Sequence, residues 1–314
     1  MVSRQTSKRK AVRKRDIESR VIFLTLLAIF VAAFTVIGCL VLFPEEEIAE
    51  ETAIIEPNES ASNSSEITEV ELKKIDFQPV VDEWVKSVSG NKSVLIYDLE
   101  RDEVAASYNT TEDYNTASLY KLFVVYEGYR RLESGEWQTG DPAGSTGYTI
   151  LECLDLAIRE SYSPCAETLW ANIDHSELDE IIKNDFNIAN SDISHLTSNA
   201  EDMTKMMKLF YTHPDIANAT FVAQVKDSML NQPVTTYDWR QGLPSGFTQA
   251  NVYNKVGWDY NPDGKYWNVY HDAAIVEFPE QDRHFIVVVM TNRVPYQQIR
   301  NLGTMLEETF FNTY

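Results

Sequence analysis

Cysteine is scarce in this chain of 314 residues, which contains only Cys39, Cys153 and Cys165. Small secreted domains that replace a hydrophobic core with disulfides need more cysteines than this, so that class is excluded. A hydrophobic fraction of 44% is enough for an ordinary core instead. Cys153 and Cys165 could pair with each other or remain as two small buried thiols, and both alternatives stay open.

Positive charge is also scarce: 27 lysines and arginines stand against 48 aspartates and glutamates, a formal net charge of -21. Nucleic-acid binding needs a basic face, so we expect no nucleic-acid partner. Surface or packing roles are expected of the five histidines, which show no metal-ligand spacing: His175, His195, His213, His271 and His284. We therefore predict no metal and no organic cofactor.

The positive charge is concentrated before a long charge-free stretch. Residues 1–20 hold eight lysines or arginines against two acidic residues, and residues 21–43 hold no charged residue. As a helix, the second stretch would be about 35 Å long, enough to cross a hydrocarbon core of about 30 Å. Basic residues before it and acidic residues after it predict a cytoplasmic tail, a single transmembrane anchor and an extracytoplasmic remainder.

Two alternatives to the transmembrane anchor also predict that the rest of the chain is exported. A cleaved signal peptide would have a shorter apolar run and a small-residue cleavage site, which this stretch lacks. Cys39 ends the sequence "VIGC", which resembles a bacterial site of lipid attachment, although "LVLF" continues the apolar run beyond it. The uncleaved anchor fits the length best, and all three interpretations predict an exported domain.

An acidic segment follows the apolar stretch. Residues 44–75 are rich in Glu, Ser, Asn and Thr and show no sustained apolar period, which predicts a flexible linker. We find no internal repeat. One folded domain is predicted over residues 76–314, a length within the range of a single domain.

Strand patterns occur at both ends of this domain, and helix patterns lie between them. Two early strands are predicted at 93–99 and 103–108, and three late ones in "NVYNKVGW", "WNVYHDAAIVEF" and "HFIVVVMTN". Helices are predicted at 118–133, 150–160, 164–173, 176–184, 200–212, 219–230 and 297–311. The fold class is α+β: a five-stranded antiparallel sheet flanked by helices, with an all-helical lobe and a cleft where lobe and sheet meet.

The stretch "YNTASLYKLFVVYEGY" places a lysine within an apolar helix. Lys121 follows Ser118 by one helical turn, so the two side chains share a face. Apolar burial disfavours the charged form of a lysine, which can then take the proton of a serine hydroxyl and make it a nucleophile. Backbone N–H groups at the helix start suit a developing oxyanion. The alternative is a capping serine followed by a lysine that reaches to solvent.

Two further motifs follow in an order that favours catalysis. "RESYSPCAETLWANI" places Ser163 between two predicted helices, and "NKVGWDY" places Lys255 and Gly257 on a strand. The order Ser-x-x-Lys, Ser-x-x, Lys-x-Gly resembles the penicillin-recognising serine enzymes, and among them the class A β-lactamase-like catalytic domain. The resemblance covers residues 76–314 and includes "SVLIYDLERDEVAASYN", "TSNAEDMTKMM" and "AAIVEFPEQDRHFIVVVMTN".

The resemblance implies three residues that move protons or form bonds. Ser118 would be the acylated nucleophile, and Lys121 would be its base or proton relay. Ser163 would pass a proton to the leaving nitrogen of the substrate. Lysine would then replace the histidine of a catalytic triad.

The resemblance also implies a substrate-binding strand. Lys255 would supply positive charge to the substrate carboxylate, Gly257 would let the substrate approach the strand, and the N–H of Trp258 would join that of the nucleophile as the oxyanion hole. Two positions expected to contact substrate depart from the family: Cys165 replaces an asparagine, and Val256 replaces a threonine or serine. Because valine lacks a hydroxyl, a hydrogen bond to the substrate carboxylate worth about 1.5 to 3 kcal/mol is lost.

A deacylating carboxylate is not found where the resemblance would place one. Class A β-lactamases carry a longer loop in the region that corresponds to residues 174–196, with a Glu-x-x-Leu-Asn pattern whose glutamate activates water. The acidic residues of this shorter stretch are expected to form the solvated face of a short helix: Glu177, Asp179, Glu180 and Asp185. An acyl-enzyme is therefore expected to form and to persist.

The predicted function is that of a membrane-anchored extracytoplasmic serine hydrolase that reacts with β-lactams. The alternatives are a D,D-peptidase of the penicillin-binding-protein type, acting on cell-wall peptides, and a non-catalytic binding module on the same fold. The expected partners are a β-lactam or a peptidoglycan-derived peptide, and the membrane through residues 21–43. Four aromatic residues are expected either to line the cleft or to pack in the core: Tyr237, Trp239, Trp258 and Tyr260.

Overall fold

The computed structural model describes residues 72–260 and 268–314. The predicted basic tail, the predicted anchor at residues 21–43 and most of the predicted linker lie outside these ranges. Within the described ranges, no helix combines the length and the apolar character needed to cross a bilayer. The anchor therefore stays a prediction.

Seven strands are present in the described residues. They are β1 (Asn91–Asp98), β2 (Glu103–Tyr108), β3 (Tyr114–Asn115), β4 (Thr197–Ser198), β5 (Asn251–Tyr260), β6 (Asn268–Phe278) and β7 (Arg283–Asn292). Five form one antiparallel sheet in the order β2-β1-β7-β6-β5, which confirms the predicted sheet, while β3 and β4 pair separately. The two ends of the domain meet where β1 pairs with β7, and β5 is left at an edge.

Eight α-helices lie in the same described residues. They are α1 (Gln78–Ser87), α2 (Tyr120–Ser134), α3 (Ile150–Arg159), α4 (Ser163–Ile173), α5 (His175–Asn184), α6 (Ala200–Thr212), α7 (Ala219–Leu230) and α8 (Tyr296–Thr313). All but α1 match predicted helices to within a few residues. The signals for α1 are a proline in its first turn and the buried Val81 and Trp84, three residues apart.

The sheet separates two hydrophobic clusters, and β7 contributes to both. Phe285 and Val287 pack with α1 and α8 on one face. Ile286 and Val288 pack on the other face with the helical lobe, α2 to α7. Because side chains alternate along a strand, a nearly continuous apolar run supplies both faces.

The packed domain includes residues that composition assigned to the linker. Ile75 is only 1% exposed, and the Nζ of Lys73 donates a hydrogen bond to the carbonyl oxygen of Thr313 at 2.8 Å. The described domain therefore begins a few residues before position 76.

Candidate active site

The turn that carries Ser118 connects the small β3–β4 pair to the helical lobe. A single 3-10 turn (Ala117–Leu119) follows β3 and continues directly into α2. Ala117 has φ of 44°, an uncommon conformation for a residue with a side chain. The N–H of Thr116 donates to the carbonyl oxygen of Leu196 at 2.7 Å, which attaches this turn to the segment before β4. Ser118 is partly exposed.

Gly257 lets strand β5 pack directly against this turn. A Cβ at Gly257 would lie 2.6 Å from the carbonyl oxygen of Thr116 and 3.0 Å from Cγ of Leu119. Backbone atoms cannot move aside cheaply, so a side chain here would separate β5 from the Ser118 turn. The family resemblance implied that this glycine lets substrate approach the strand, whereas the structure shows it closely packed against the protein's own backbone.

Lys121 lies one turn after Ser118 and is completely buried, with 0% of its surface exposed. The apolar residues around it in α2 create this environment, as the sequence predicted. Its Nζ donates to the carbonyl oxygen of Ser161 at 2.5 Å, to Oγ of Ser161 at 3.3 Å and to Oγ of Ser163 at 3.0 Å. The lysine therefore points into the turn that joins α3 to α4.

Ser161 holds the central position in that turn. Its φ of 55° is in the left-handed region, and its carbonyl and hydroxyl oxygens both lie beside Lys121. Nζ of Lys255 donates to Oγ of Ser161 at 2.8 Å. One hydroxyl therefore receives hydrogen bonds from two lysines that come from different halves of the domain.

The serine that lies between the two lysines is not the predicted Ser163. Of these two lysines, Ser163 forms a hydrogen bond with Lys121 alone, and it is exposed at the start of α4. Pro164 in the first turn of α4 sets this helix start. The serine between both lysines is Ser161, two residues earlier, so the motif is "SYS" and Ser163 is its third residue.

Burial lowers the pKa of both lysines. The pKa of Lys121 falls to about 8 because the side chain is removed from water, and the negative charge of Glu167 opposes the fall. The pKa of Lys255 also falls well below its usual value, first through burial and then through the positive charge of Lys121. The negative charge of Asp272 opposes that fall. The site therefore favours loss of a proton from this pair.

The N–H of Trp258 faces the open edge of β5. The hydroxyl of Tyr296 donates to the carbonyl oxygen of Gly257 at 3.2 Å and lies 3.5 Å from that of His271 on β6. In a planar trans peptide the N–H points opposite to the carbonyl, so the Trp258 N–H points away from Tyr296. Ser118 lies at the start of its helix, where N–H groups lack helical partners, so its N–H and that of Trp258 are the candidates for an oxyanion hole.

Val256 does not line the cleft with its side chain. The side chain is 1% exposed and packs in the cluster between the sheet and α8, together with Tyr296. Because side chains alternate along a strand, Lys255 and Gly257 share one face and Val256 takes the other. The expected contact of its side chain with substrate is therefore corrected.

Cys165 is also removed from the substrate site. It forms a disulfide with Cys153, and both residues are 0% exposed. The expected substrate contact is replaced by a covalent link between α3 and α4, on either side of the turn that carries Ser161. The sequence left open whether these cysteines are bonded to each other or are two buried thiols, and the structure shows the disulfide.

The acidic residues of the segment 174–196 have structural partners. Oδ1 of Asp179 accepts a hydrogen bond from the N–H of Ile193 at 2.7 Å. Glu177 and Asp185 form ion pairs with two arginines of α2, and Glu180 is exposed. Glu177, Glu180 and Asp185 are exposed, as expected of a solvated face, and three of the four acids also have a partner in the lobe.

A buried histidine binds the backbone next to the site, although the sequence predicted only a surface or packing role for it. Nε2 of His271 lies 2.7 Å from the carbonyl oxygen of Asn115, and Nδ1 accepts the N–H of Thr291 at 2.9 Å. Because Nδ1 accepts, Nε2 carries the proton and donates a hydrogen bond to the carbonyl oxygen of Asn115, two residues before the Ser118 turn. Burial lowers the pKa of His271 to about 4, so the ring is neutral.

Aromatic side chains form a wall beside the α3–α4 turn. The ring of Tyr237 lies 5.1 Å from that of Trp239 and 5.0 Å from that of Trp258. Nε1 of Trp239 donates to the carbonyl oxygen of Glu160 at 3.1 Å, which attaches the wall to the turn. Tyr237 is 46% exposed and Tyr260 is 53% exposed.

The sheet, the helical lobe and the Ser118 turn at their junction are those of the β-lactamase-like class of folds. A family model described as the Beta-lactamase enzyme family matches residues 76–310. The chain belongs to this family, which confirms the resemblance seen in the motifs.

Solved structures show the same fold at low sequence identity. PBP-A is 18% identical, with a TM-score of 0.60 over 74% of this chain and 96% of that one. A class A β-lactamase from Bacteroides cellulosilyticus is 15% identical, with a TM-score of 0.64 over 76% and 100%. A β-lactamase from Xanthomonas campestris is 11% identical, with a TM-score of 0.63 over 74% and 97%. No curated protein sequence matches the chain.

The close approach of β5 to the Ser118 turn predicts the effect of Gly257→Ala. The added methyl group would collide with backbone, so we expect the free energy of unfolding to fall by about 1–3 kcal/mol, measured by urea denaturation. Gly140→Ala is the matched control, because a Cβ there would meet no atom within 4 Å. Equal stability of the two variants would contradict this packing.

The disulfide predicts a second loss of stability. Replacing Cys153 and Cys165 together with alanine should lower the free energy of unfolding by about 2–4 kcal/mol, because the link closes a loop in the unfolded chain. In the parent protein, denatured without reductant, maleimide should label neither cysteine, as peptide mapping would show. Labelling of both would show that the bond is absent.

Proposed function

We propose that the protein is an exported serine hydrolase that forms an acyl-enzyme on Ser118. The observation that carries this proposal is the shared hydroxyl of Ser161, 2.8 Å from Nζ of Lys255 and 3.3 Å from Nζ of Lys121. Both lysines are almost completely removed from water. Burying two cations costs stability, and packing alone does not require it, so the arrangement favours a path for protons.

Acylation begins with Lys121 in its neutral form. Because its pKa is about 8, the neutral fraction grows as the pH rises through that value. The neutral amine takes the hydroxyl proton of Ser118 while Oγ forms a bond to the carbonyl carbon of the substrate. The developing oxyanion accepts hydrogen bonds from the N–H groups of Ser118 and Trp258.

Collapse of the tetrahedral intermediate breaks the bond between carbon and nitrogen. The leaving nitrogen takes the hydroxyl proton of Ser161, which is suited to this step because its oxygen accepts hydrogen bonds from lysine and keeps its own proton to donate. The protonated Lys121 then returns a proton to Ser161. The proton that left Ser118 thus ends on the nitrogen, and Lys121 is neutral again.

A β-lactam is the proposed substrate, with slow deacylation. Support comes from the family and from a PBP-A variant, 16% identical to this chain, whose structure is an acyl-enzyme complex with penicillin G. The acids of residues 174–196 that hold structural partners are not free to activate water. A D,D-peptidase acting on cell-wall peptides is the alternative, favoured by the same engagement of these acids.

We propose that the domain acts outside the cytoplasm, attached through residues 21–43. The charge-free stretch and the basic residues before it support this orientation. The disulfide between Cys153 and Cys165 also supports it, because such bonds persist mainly in oxidising compartments.

The proposal predicts a persistent adduct. After exposure of the full-length protein to benzylpenicillin, intact mass spectrometry should show one added penicillin, and peptide mapping should place it on Ser118. The adduct should remain for many minutes after the free drug is removed, because the partnered acids of residues 174–196 are not free to activate water.

The Ser118→Ala variant is the control and should show no adduct while keeping the fold, as circular dichroism would report. Rapid, sustained turnover of a chromogenic cephalosporin would contradict slow deacylation. A parent protein that never acquires an adduct would favour a non-catalytic binding module or a substrate of another class.

A further inference from the structure

One acidic side chain of α4 faces Lys121 and has no part in the mechanism described above. Ser163 begins α4 and accepts a hydrogen bond from Lys121 at 3.0 Å. Glu167 follows four residues later, so it lies on the same face of the helix, one turn further along. The face of α4 that carries Ser163 next to Lys121 therefore also carries the carboxylate of Glu167.

Tyr120 connects this carboxylate to the lysine. Its hydroxyl donates to Oε1 of Glu167 at 3.5 Å, a long hydrogen bond. The centroid of its ring lies 5.8 Å from Nζ of Lys121. Tyr120 is 6% exposed and packs against Trp170, with 5.0 Å between ring centroids. The buried ring of Tyr120 is thus near Nζ of Lys121, and its hydroxyl contacts the carboxylate of Glu167, a residue that is itself exposed.

We propose that Glu167 is a positioning residue for Lys121, and that its negative charge sets the pH range in which Lys121 can act as a base. This inference rests on the proposed acylation of Ser118. The acids of the segment 174–196 that the structure pairs with arginines or backbone are already engaged, whereas Glu167 comes from the helix that Lys121 contacts directly.

The charged groups around Lys121 act in opposite directions. Glu167 on α4 favours its charged form, while burial disfavours it. Lys255 approaches from β5 through the shared Ser161 hydroxyl and adds positive charge when protonated. Tyr120, on the same helix as Lys121, is neutral near pH 7, because burial raises its pKa. Removing the charge of Glu167 therefore makes Lys121 lose its proton at lower pH.

The test is the pH dependence of Ser118 acylation in the full-length protein. The rate should rise with pH as Lys121 becomes neutral, and Glu167→Gln should move that rise to lower pH by roughly half to one unit. Glu167→Asp, which keeps the charge, should move it less. Glu180→Gln is the matched control on the neighbouring helix, because Glu180 is exposed like Glu167 but is not among the charged groups that act on Lys121, and it should match the parent.

A readout without substrate separates this inference from the proposed function. The pKa of Lys121 can be followed by NMR in protein that carries ¹³C-labelled lysine, with Lys121→Met used to assign the signal. Glu167→Gln should lower that pKa even if no β-lactam ever reacts. A pKa and a pH profile that both match the parent would overturn the role of Glu167, whereas a parent that is never acylated, with the shift present, would overturn the proposed function alone.

Discussion

The site depends on one hydroxyl group that receives hydrogen bonds from two buried lysines. Ser161 Oγ lies within hydrogen-bond distance of Lys121 and Lys255, which have 0% and 1% of their surface exposed. Two ammonium groups so close together in a medium of low dielectric are costly, so the pair releases a proton readily. In the proposed mechanism a lysine thereby serves as the base near neutral pH. The same hydroxyl would then give its proton to the leaving nitrogen of the substrate.

Three parts of the fold keep this arrangement in place. Gly257 allows β5 to lie against the backbone of Thr116, so the strand that carries Lys255 and the turn that carries Ser118 are in contact. The disulfide joins the helices on either side of Ser161. His271 binds the backbone just before the Ser118 turn. The reactive groups are thus held by packing, a covalent bond and a buried hydrogen bond, each from a different part of the chain.

Sequence periodicity predicted the sheet and seven of the eight helices, because alternating and helical apolar patterns report directly on burial. Lys121 was recognisable for the same reason, since a charge within an apolar helix needs an explanation. Ser161 was missed because two serines flank Tyr162, and only the helix start at Ser163 shows which of them lies in the turn. Val256 was expected at the cleft because of its place in the motif, although strand alternation turns its side chain to the other face. The contact between Glu167 and Tyr120 depends on helix packing that no local pattern contains.

The most direct measurement is the acylation rate of Ser161→Ala compared with that of Ser163→Ala, at a fixed penicillin concentration and pH. Ser161 contacts both lysines, whereas Ser163 contacts only Lys121. We expect a loss of about 100-fold or more for Ser161→Ala, typical of a lost proton-transfer group, and a loss at least about tenfold smaller for Ser163→Ala. Equal losses, or a larger loss for Ser163→Ala, would contradict the central role of the shared hydroxyl.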